Sequence, residues 1–144
     1  MDKILEVKNL RVGFEKENKF LEALRGVNFS VKKGEKIAIV GESGSGKTVL
    51  ALSILNLIEP PGKIVEGEIV FNGRDILKLK EDELRKIRGK EIAMIFQEPL
   101  SSLNPVLTIG YQVGEPFIIH SNMNKKRAID KAKNLLKLVS ISDV

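Results

Sequence analysis

The chain has 144 residues, with 24 Lys and Arg against 19 Asp and Glu, a formal charge of +5, and a composition 42% hydrophobic and 30% charged. That length accommodates one ordinary domain or part of a larger one and excludes two; the composition is that of a globular chain and excludes a disordered or collagen-like one. The absence of cysteine excludes disulfides, thiolate catalysis and cysteine-ligated metal, and suits a reducing cytosol.

Met1-Asp2-Lys3 leads into an alternating pattern and not into the apolar core of a secretory signal. Ile4 to Val12 reads as a strand and Ala23 to Val31 as a second, followed by a turn at Lys32-Lys33-Gly34-Glu35. Lys36-Ile37-Ala38-Ile39-Val40 is apolar on both faces, as a buried parallel strand requires. A Gly/Ser-rich loop follows, then a helix predicted from about Lys47 to Ile58 and stopped by Pro60-Pro61-Gly62. The apolar run Val49 to Ile58 is about half of the roughly 20 residues needed to span a bilayer, so no transmembrane segment is expected.

Gly67 to Phe71 reads as a strand reaching a tight turn at Asn72-Gly73. Glu81 to Arg88 reads as a polar helix with Gly89 as its C-cap. Glu91 to Phe96 reads as a further buried strand ending at Gln97, Glu98 to Pro105 as a loop, and the chain from about Ile109 onward as mostly helical. The dense basic cluster Lys125-Lys126-Arg127 runs into Ala128, Ile129, Ala132, Leu135 and Leu136 at helical spacing. That pattern reads as a solvated helix face, and no nucleic-acid partner is expected from it.

Gly41-Glu42-Ser43-Gly44-Ser45-Gly46-Lys47-Thr48 satisfies G-x-x-x-x-G-K-[ST] at every fixed position, between a predicted strand and a predicted helix. Each residue type has a chemical reason. Glycines let successive backbone N–H groups turn into one cradle of phosphate oxygens, and the following helix adds its free N-terminal N–H groups and dipole. Lys47 supplies a mobile positive charge for the β- and γ-phosphates, and the Thr48 hydroxyl is a ligand for Mg²⁺. The predicted fold class is therefore α/β of the P-loop NTPase type, and the predicted ligand is ATP with Mg²⁺.

A P-loop alone leaves kinases, GTPases, helicases and transport ATPases open. Leu10-Arg11-Val12-Gly13-Phe14, the lead-in Gly26 to Glu35, and Ile95-Phe96-Gln97-Glu98-Pro99 resemble the ATP-binding subunit of an ABC transporter. Gly41 to Lys47, Lys90 to Pro99 and Ser101-Ser102-Leu103-Asn104-Pro105 are similar to the dipeptide/oligopeptide importer group, and the similarity covers Ile4 to Val144. The resemblance implies a β-rich N-terminal subdomain, part of a parallel-sheet core and the start of a helical subdomain, divided into 1–97 and 98–144. It implies that Phe14 stacks on adenine, the alternative being a plain strand-end hydrophobe. It implies that Gln97 is the glutamine that reaches Mg²⁺ or the attacking water and senses the γ-phosphate, the alternative being an ordinary solvent-facing loop glutamine. It also implies docking of the region after Gln97 on a membrane-spanning permease, pairing with a second ATP-binding subunit, and a peripheral place on the cytoplasmic face of the membrane.

The same family pattern puts its signature sequence, Walker B aspartate, catalytic glutamate and switch histidine after Val144. His120 precedes the place of the Walker B strand and is read as a surface or helix-end histidine. Asp143 follows no apolar strand and is not read as a Walker B aspartate. The expected activity is then nucleotide binding within a peptide-importing ATPase. The alternatives are a nucleotide-binding module that turns nothing over and a non-transport P-loop ATPase.

Overall fold

Strand β1 (Lys3–Lys16) and strand β2 (Lys19–Lys32) form an antiparallel hairpin in the computed structural model, which describes residues 3–98 and 102–141. Both strands run farther than their apolar alternation predicts, because a two-residue turn joins them. Glu17 and Asn18 sit at φ 50° and 60° between the paired Lys16 and Lys19, the left-handed turn whose twist matches a hairpin. Strand β3 (Gly62–Phe71) pairs antiparallel with β1 on its other edge. The short β4 (Arg74–Asp75) folds back on β3 through the predicted Asn72-Gly73 turn. The sheet order is β2-β1-β3-β4.

Val7 and Leu10 are both buried although three residues apart, which strict alternation in a strand forbids. A bulge resolves the conflict. Asn9 takes φ 45°, and the register slips between Val7 and Leu10 against β2 and between Lys8 and Arg11 against β3. The Asn9 N–H donates to Asn28 Oδ1 at 2.8 Å, and its amide nitrogen donates to Glu66. Opposite the bulge, Gly67 lies at φ 110°, where a Cβ would stand 2.6 Å from the Leu10 Cα, so this position requires glycine. The result is one apolar face of Val7, Leu10, Val12, Leu24, Ile69 and Phe71.

Helix α1 (Lys47–Ile54) is four residues shorter than its sequence pattern predicts. The helix ends before the prolines, at Asn56 with φ 51°. The Leu57 N–H reaches the Leu52 carbonyl, and the Asn56 N–H reaches the Ser53 carbonyl. These two bonds form a Schellman cap, in which a left-handed residue satisfies the last carbonyls. Ser53 is fully buried in α1, with its hydroxyl donating to the Val49 carbonyl at 2.7 Å. A 3₁₀ turn (Ile76–Lys78) and helix α2 (Glu81–Ile87) follow, with Gly89 at φ 78° just after the helix as predicted.

Two predicted strands are corrected. Residues 36–40 form no strand, and Ile37, Ile39 and Val40 are 45%, 49% and 91% exposed. Residues 91–96 contribute only an isolated parallel bridge between Arg88 and Ile92, and Ile95 is 99% exposed. A strand has no internal hydrogen bonds, so an apolar run becomes one only where another strand takes its N–H and C=O groups. Among the described residues none lies beside either segment.

The chain divides into two compact units, Met1–Leu84 and Arg85–Val144. The second contains the antiparallel helices α3 (Ile109–Ser121) and α4 (Lys125–Leu138), close to the predicted helical stretch. Their packing rests on small residues: Gly114, Ala128 and Ala132 are buried where the helices approach. Thr108 and Asn124 cap them, accepting from the N–H groups of Tyr111 at 3.3 Å and Arg127 at 3.0 Å. As expected, Lys125, Lys126 and Arg127 lie on the exposed face of α4. No helix among the described residues is long and apolar enough to cross a membrane.

Amide hydrogen exchange checks the pairing. The N–H groups of Leu10 to Val12, inside the sheet, should be strongly protected, and those of Ile37 to Val40 should exchange at nearly the unprotected rate. Protection of 37–40 equal to that of β1 would show a paired strand there.

Candidate nucleotide-binding site

The loop Gly41 to Gly46 leads directly into α1. Gly46 is the N-cap at φ 92°, and no side chain caps this helix, in contrast to α3 and α4. The first-turn N–H groups of α1 are therefore left without a side-chain acceptor, as an anion-binding terminus needs. A Cβ on Gly46 would stand 2.9 Å from both the Ala23 carbonyl oxygen and Leu24 Cδ2. The glycine thus seats the loop directly on β2.

Lys47 turns back across the loop. Its Nζ donates to the carbonyls of Gly41 at 2.8 Å and Glu42 at 2.6 Å and to Ser45 Oγ at 3.3 Å. The ammonium is thus held at the loop mouth by neutral acceptors, and no carboxylate among the described residues pairs with it. Glu42, Ser43, Gly44, Ser45 and Thr48 are exposed, and Gly46 and Lys47 are half-buried. Residues 41–48 accordingly form one accessible, backbone-rich segment with a cation held against it. The residues fit a polyphosphate, and the exposed Thr48 hydroxyl is available to a hydrated Mg²⁺. No cluster of three or more His, Asp or Glu side chains suited to a metal occurs among the described residues, so a metal here would rely on Thr48 and on the phosphates themselves.

Phe14 lies in the same unit. Leu24, which touches Gly46, is paired with Val12 across the hairpin, and Phe14 is two residues beyond Val12 on the same face of β1. Its side chain is half-buried, and its cross-strand partner on β3 is Gly62. Phe20 lies on the opposite face, over Gly13, so of the two aromatics near the hairpin end Phe14 shares the side on which the loop is seated. Next to it, Lys63 hydrogen-bonds to Glu15 and holds that carboxyl below its ordinary range.

Gln97 belongs to the second unit. It is exposed, at a bend after segment 91–96, which forms no strand, and so does not stand at the end of a buried strand as expected. Of the predicted docking stretch, Pro99, Leu100 and Ser101 lie outside the described residues, as does Asp143. Asn104 is braced by Gln112, which accepts from its N–H at 2.7 Å and donates to the carbonyls of Asn104 and Leu107. Beside this loop, Leu103, Ile109, Val113, Leu136 and Ile141 line an apolar cavity of about 510 Å³. His120 faces Gly89 within the helical unit.

Gly62 was not legible as a site residue. Pro60-Pro61-Gly62 reads as a helix stop, and only the β1–β3 register places Gly62 beside Phe14.

A family model described as ABC transporter matches residues 24–144. The oligopeptide transport ATP-binding protein AppD of Bacillus subtilis is 48% identical over 99% of this chain and 44% of its own length. The dipeptide transport ATP-binding protein DppD of the same organism is 46% identical over 99% of this chain and 43% of its own. Among solved structures, a bacterial ABC transporter cassette described as a dimer superposes with a TM-score of 0.76 at 28% identity, covering 96% of this chain and 58% of that one. The chain therefore spans less than half the length of these curated relatives.

The seat of the loop can be tested at two glycines. Gly46→Ala should lower stability by about 1–3 kcal/mol through its strained backbone and further through the overlap with Ala23. Gly44 has φ 79° but nothing within 4 Å of a built Cβ, so Gly44→Ala should cost less. Denaturant midpoints of the two variants measure the difference.

Proposed function

Because this chain belongs to the ABC transporter family, we propose that it is the nucleotide-holding part of an ATPase that drives peptide import. The observation that carries the proposal is the uncapped helix terminus behind an open glycine loop, with Lys47 held at its mouth and Phe14 on the same side of the sheet. Similarity to oligopeptide and dipeptide transport ATP-binding proteins supports peptides as the cargo class.

In this reading the N–H groups of residues 43–48 bind the phosphates, with Lys47 neutralising the charge farthest from the base. Thr48 and Gln97 are the residues that would hold Mg²⁺, which when bound offsets charge on the phosphates as it is redistributed. Lys47 must exchange its carbonyl acceptors for phosphate oxygens. Those bonds are charge-assisted at both ends and stronger than the ones they replace, so the lysine is ready for this exchange without a large rearrangement. Phe14 offers a π-face to adenine, and Gln97 senses the state of the γ-phosphate.

Residues 1–97 are assigned to the ATP-binding core and 98–144 to the beginning of a helical subdomain. The stretch from Glu98 through Pro105, with the adjoining apolar cavity, is assigned to a membrane-spanning permease partner. A second ATP-binding subunit and a peripheral position on the cytoplasmic face of the membrane complete the proposal.

Lys47→Ala should weaken Mg-ATP binding by about 10- to 100-fold, since hydrogen bonds to charged groups contribute about 1.5–3 kcal/mol. Gln97→Ala should leave affinity within a few-fold of the parent. Titration calorimetry reads both, and equal losses would refute the division between cradle and sensor. Phe14→Ala should cost ATP about 5- to 100-fold, from a stacking contribution of about 1–3 kcal/mol, and leave tripolyphosphate binding unchanged. Identical behaviour of the two ligands would remove Phe14 from the site.

A further inference from the structure

The backbone around Phe14 is held on three successive rungs. Gly13 pairs with Lys63 and Phe14 with Gly62 in the β1–β3 ladder, and the Glu15 N–H donates to the Pro61 carbonyl at 3.1 Å. The Lys63–Glu15 ion pair spans the same two strands. With the backbone tied so closely, the freedom left to the Phe14 ring is decided by what stands across from it.

What stands across from it is a residue without a side chain. A Cβ on Gly62 would lie 2.6 Å from Phe14 Cε1, 2.8 Å from Ile58 Cγ2 and 3.0 Å from the Glu59 carbonyl oxygen. Distances that short are not tolerated by real Cβ atoms, so the ring and Ile58 occupy the space that any side chain at 62 would need. Gly62 does not lie in the left-handed region, so its backbone imposes no demand for glycine. The demand comes from its surroundings, with the Phe14 ring the nearest of them, followed by Ile58 and the Glu59 carbonyl.

We infer that Gly62 is a positioning residue for base recognition. Its missing side chain lets the Phe14 ring lie against β3, and this pose presents the remaining face of the ring on the side where the phosphate loop is seated. The inference rests on the reading of Phe14 as the base-stacking residue and extends it to the segment from Ile58 to Gly62, whose sequence otherwise marks only the end of a helix. An aromatic platform works only when its plane is preset, because stacking gained by ordering a free ring is offset by the entropy of ordering it. A methyl group at 62 should therefore swing the ring out and weaken the base contact while leaving the phosphate cradle intact.

Gly13 provides the control. A Cβ there would meet the Phe20 ring at 2.2 Å, a still closer overlap on the face of β1 opposite to Phe14. Gly13→Ala should displace Phe20 and leave nucleotide recognition as it is.

The experiment compares Mg-ATP with Mg-tripolyphosphate binding to the full chain and to Gly62→Ala, Phe14→Ala, the double variant and Gly13→Ala. Gly62→Ala is expected to lose at least about 3-fold for ATP, a part of full stacking, with tripolyphosphate unchanged. The double variant should bind ATP no worse than Phe14→Ala, since with the ring absent the methyl displaces nothing. Ile58→Ala, which removes the other wall without adding bulk, should lower ATP binding selectively as well and serves if Gly62→Ala does not fold. If Phe14→Ala abolishes the preference for ATP but Gly62→Ala and Ile58→Ala retain it, the positioning role is refuted. Multiplicative losses in the double variant would refute it too. If Phe14→Ala itself leaves the preference intact, the stacking reading fails and this inference fails with it.

Discussion

The close seat of Gly46 on β2 is the contact on which the rest of the site depends. Three things meet there: the end of the phosphate loop, the first turn of α1, and the Ala23–Leu24 backbone and side chain of the hairpin. A glycine at φ 92° allows the chain to leave the loop and enter the helix in one step, and the lack of a Cβ allows that step to occur in contact with the sheet. Without this contact α1 could form, but its N–H groups would no longer share a side with Phe14.

A second constraint determines which side that is. The bulge at Asn9, met by Gly67 on the neighbouring strand, shifts β1 by one residue and moves Leu10, Val12 and Phe14 to the face already occupied by Val7. Without it, alternation from Val7 would place them on the opposite face. The bulge is thus not decoration on a long strand. It lets one strand bury its first half in the core and direct an aromatic of its second half toward the loop, while Arg11 on the reverse face is left to pair with Glu22.

Charge is distributed unevenly between the two units. Residues 1–84 contain fourteen Lys and Arg and fourteen Asp and Glu, so all of the +5 falls in residues 85–144, where ten basic residues face five acidic ones. In the proposed reading, phosphate affinity in the first unit would come from oriented backbone dipoles and one local lysine and not from a general positive field. That agrees with the loop geometry, in which Lys47 is held by carbonyl groups and not by carboxylates.

The glycine loop leading into α1, the Asn72-Gly73 turn, the Gly89 stop and the two C-terminal helices were all legible in the amino-acid sequence. Each depends on residues within a few positions of one another: glycines where φ is positive, caps at fixed offsets, apolar residues at helical spacing. The prolines predict a later end of α1 than the one observed, because Asn56 in the left-handed region stops the helix first. The runs 36–40 and 91–96 depart from their predicted strands for a different reason. Their apolar residues report what a strand would bury, but pairing needs a neighbour, and hydrogen-bond partners across a sheet are not encoded locally. The side on which Phe14 lies, and the role of Gly62 opposite it, were decided only by the register of β1 against β3. That register depends on a bulge whose two halves are 58 residues apart in the chain, at Asn9 and Gly67. By itself, then, the sequence determined where the glycine loop and its lysine stand and which residue types they offer, and the tertiary structure decided which residues stand around them, because positions far apart in the chain become neighbours only when the strands pair.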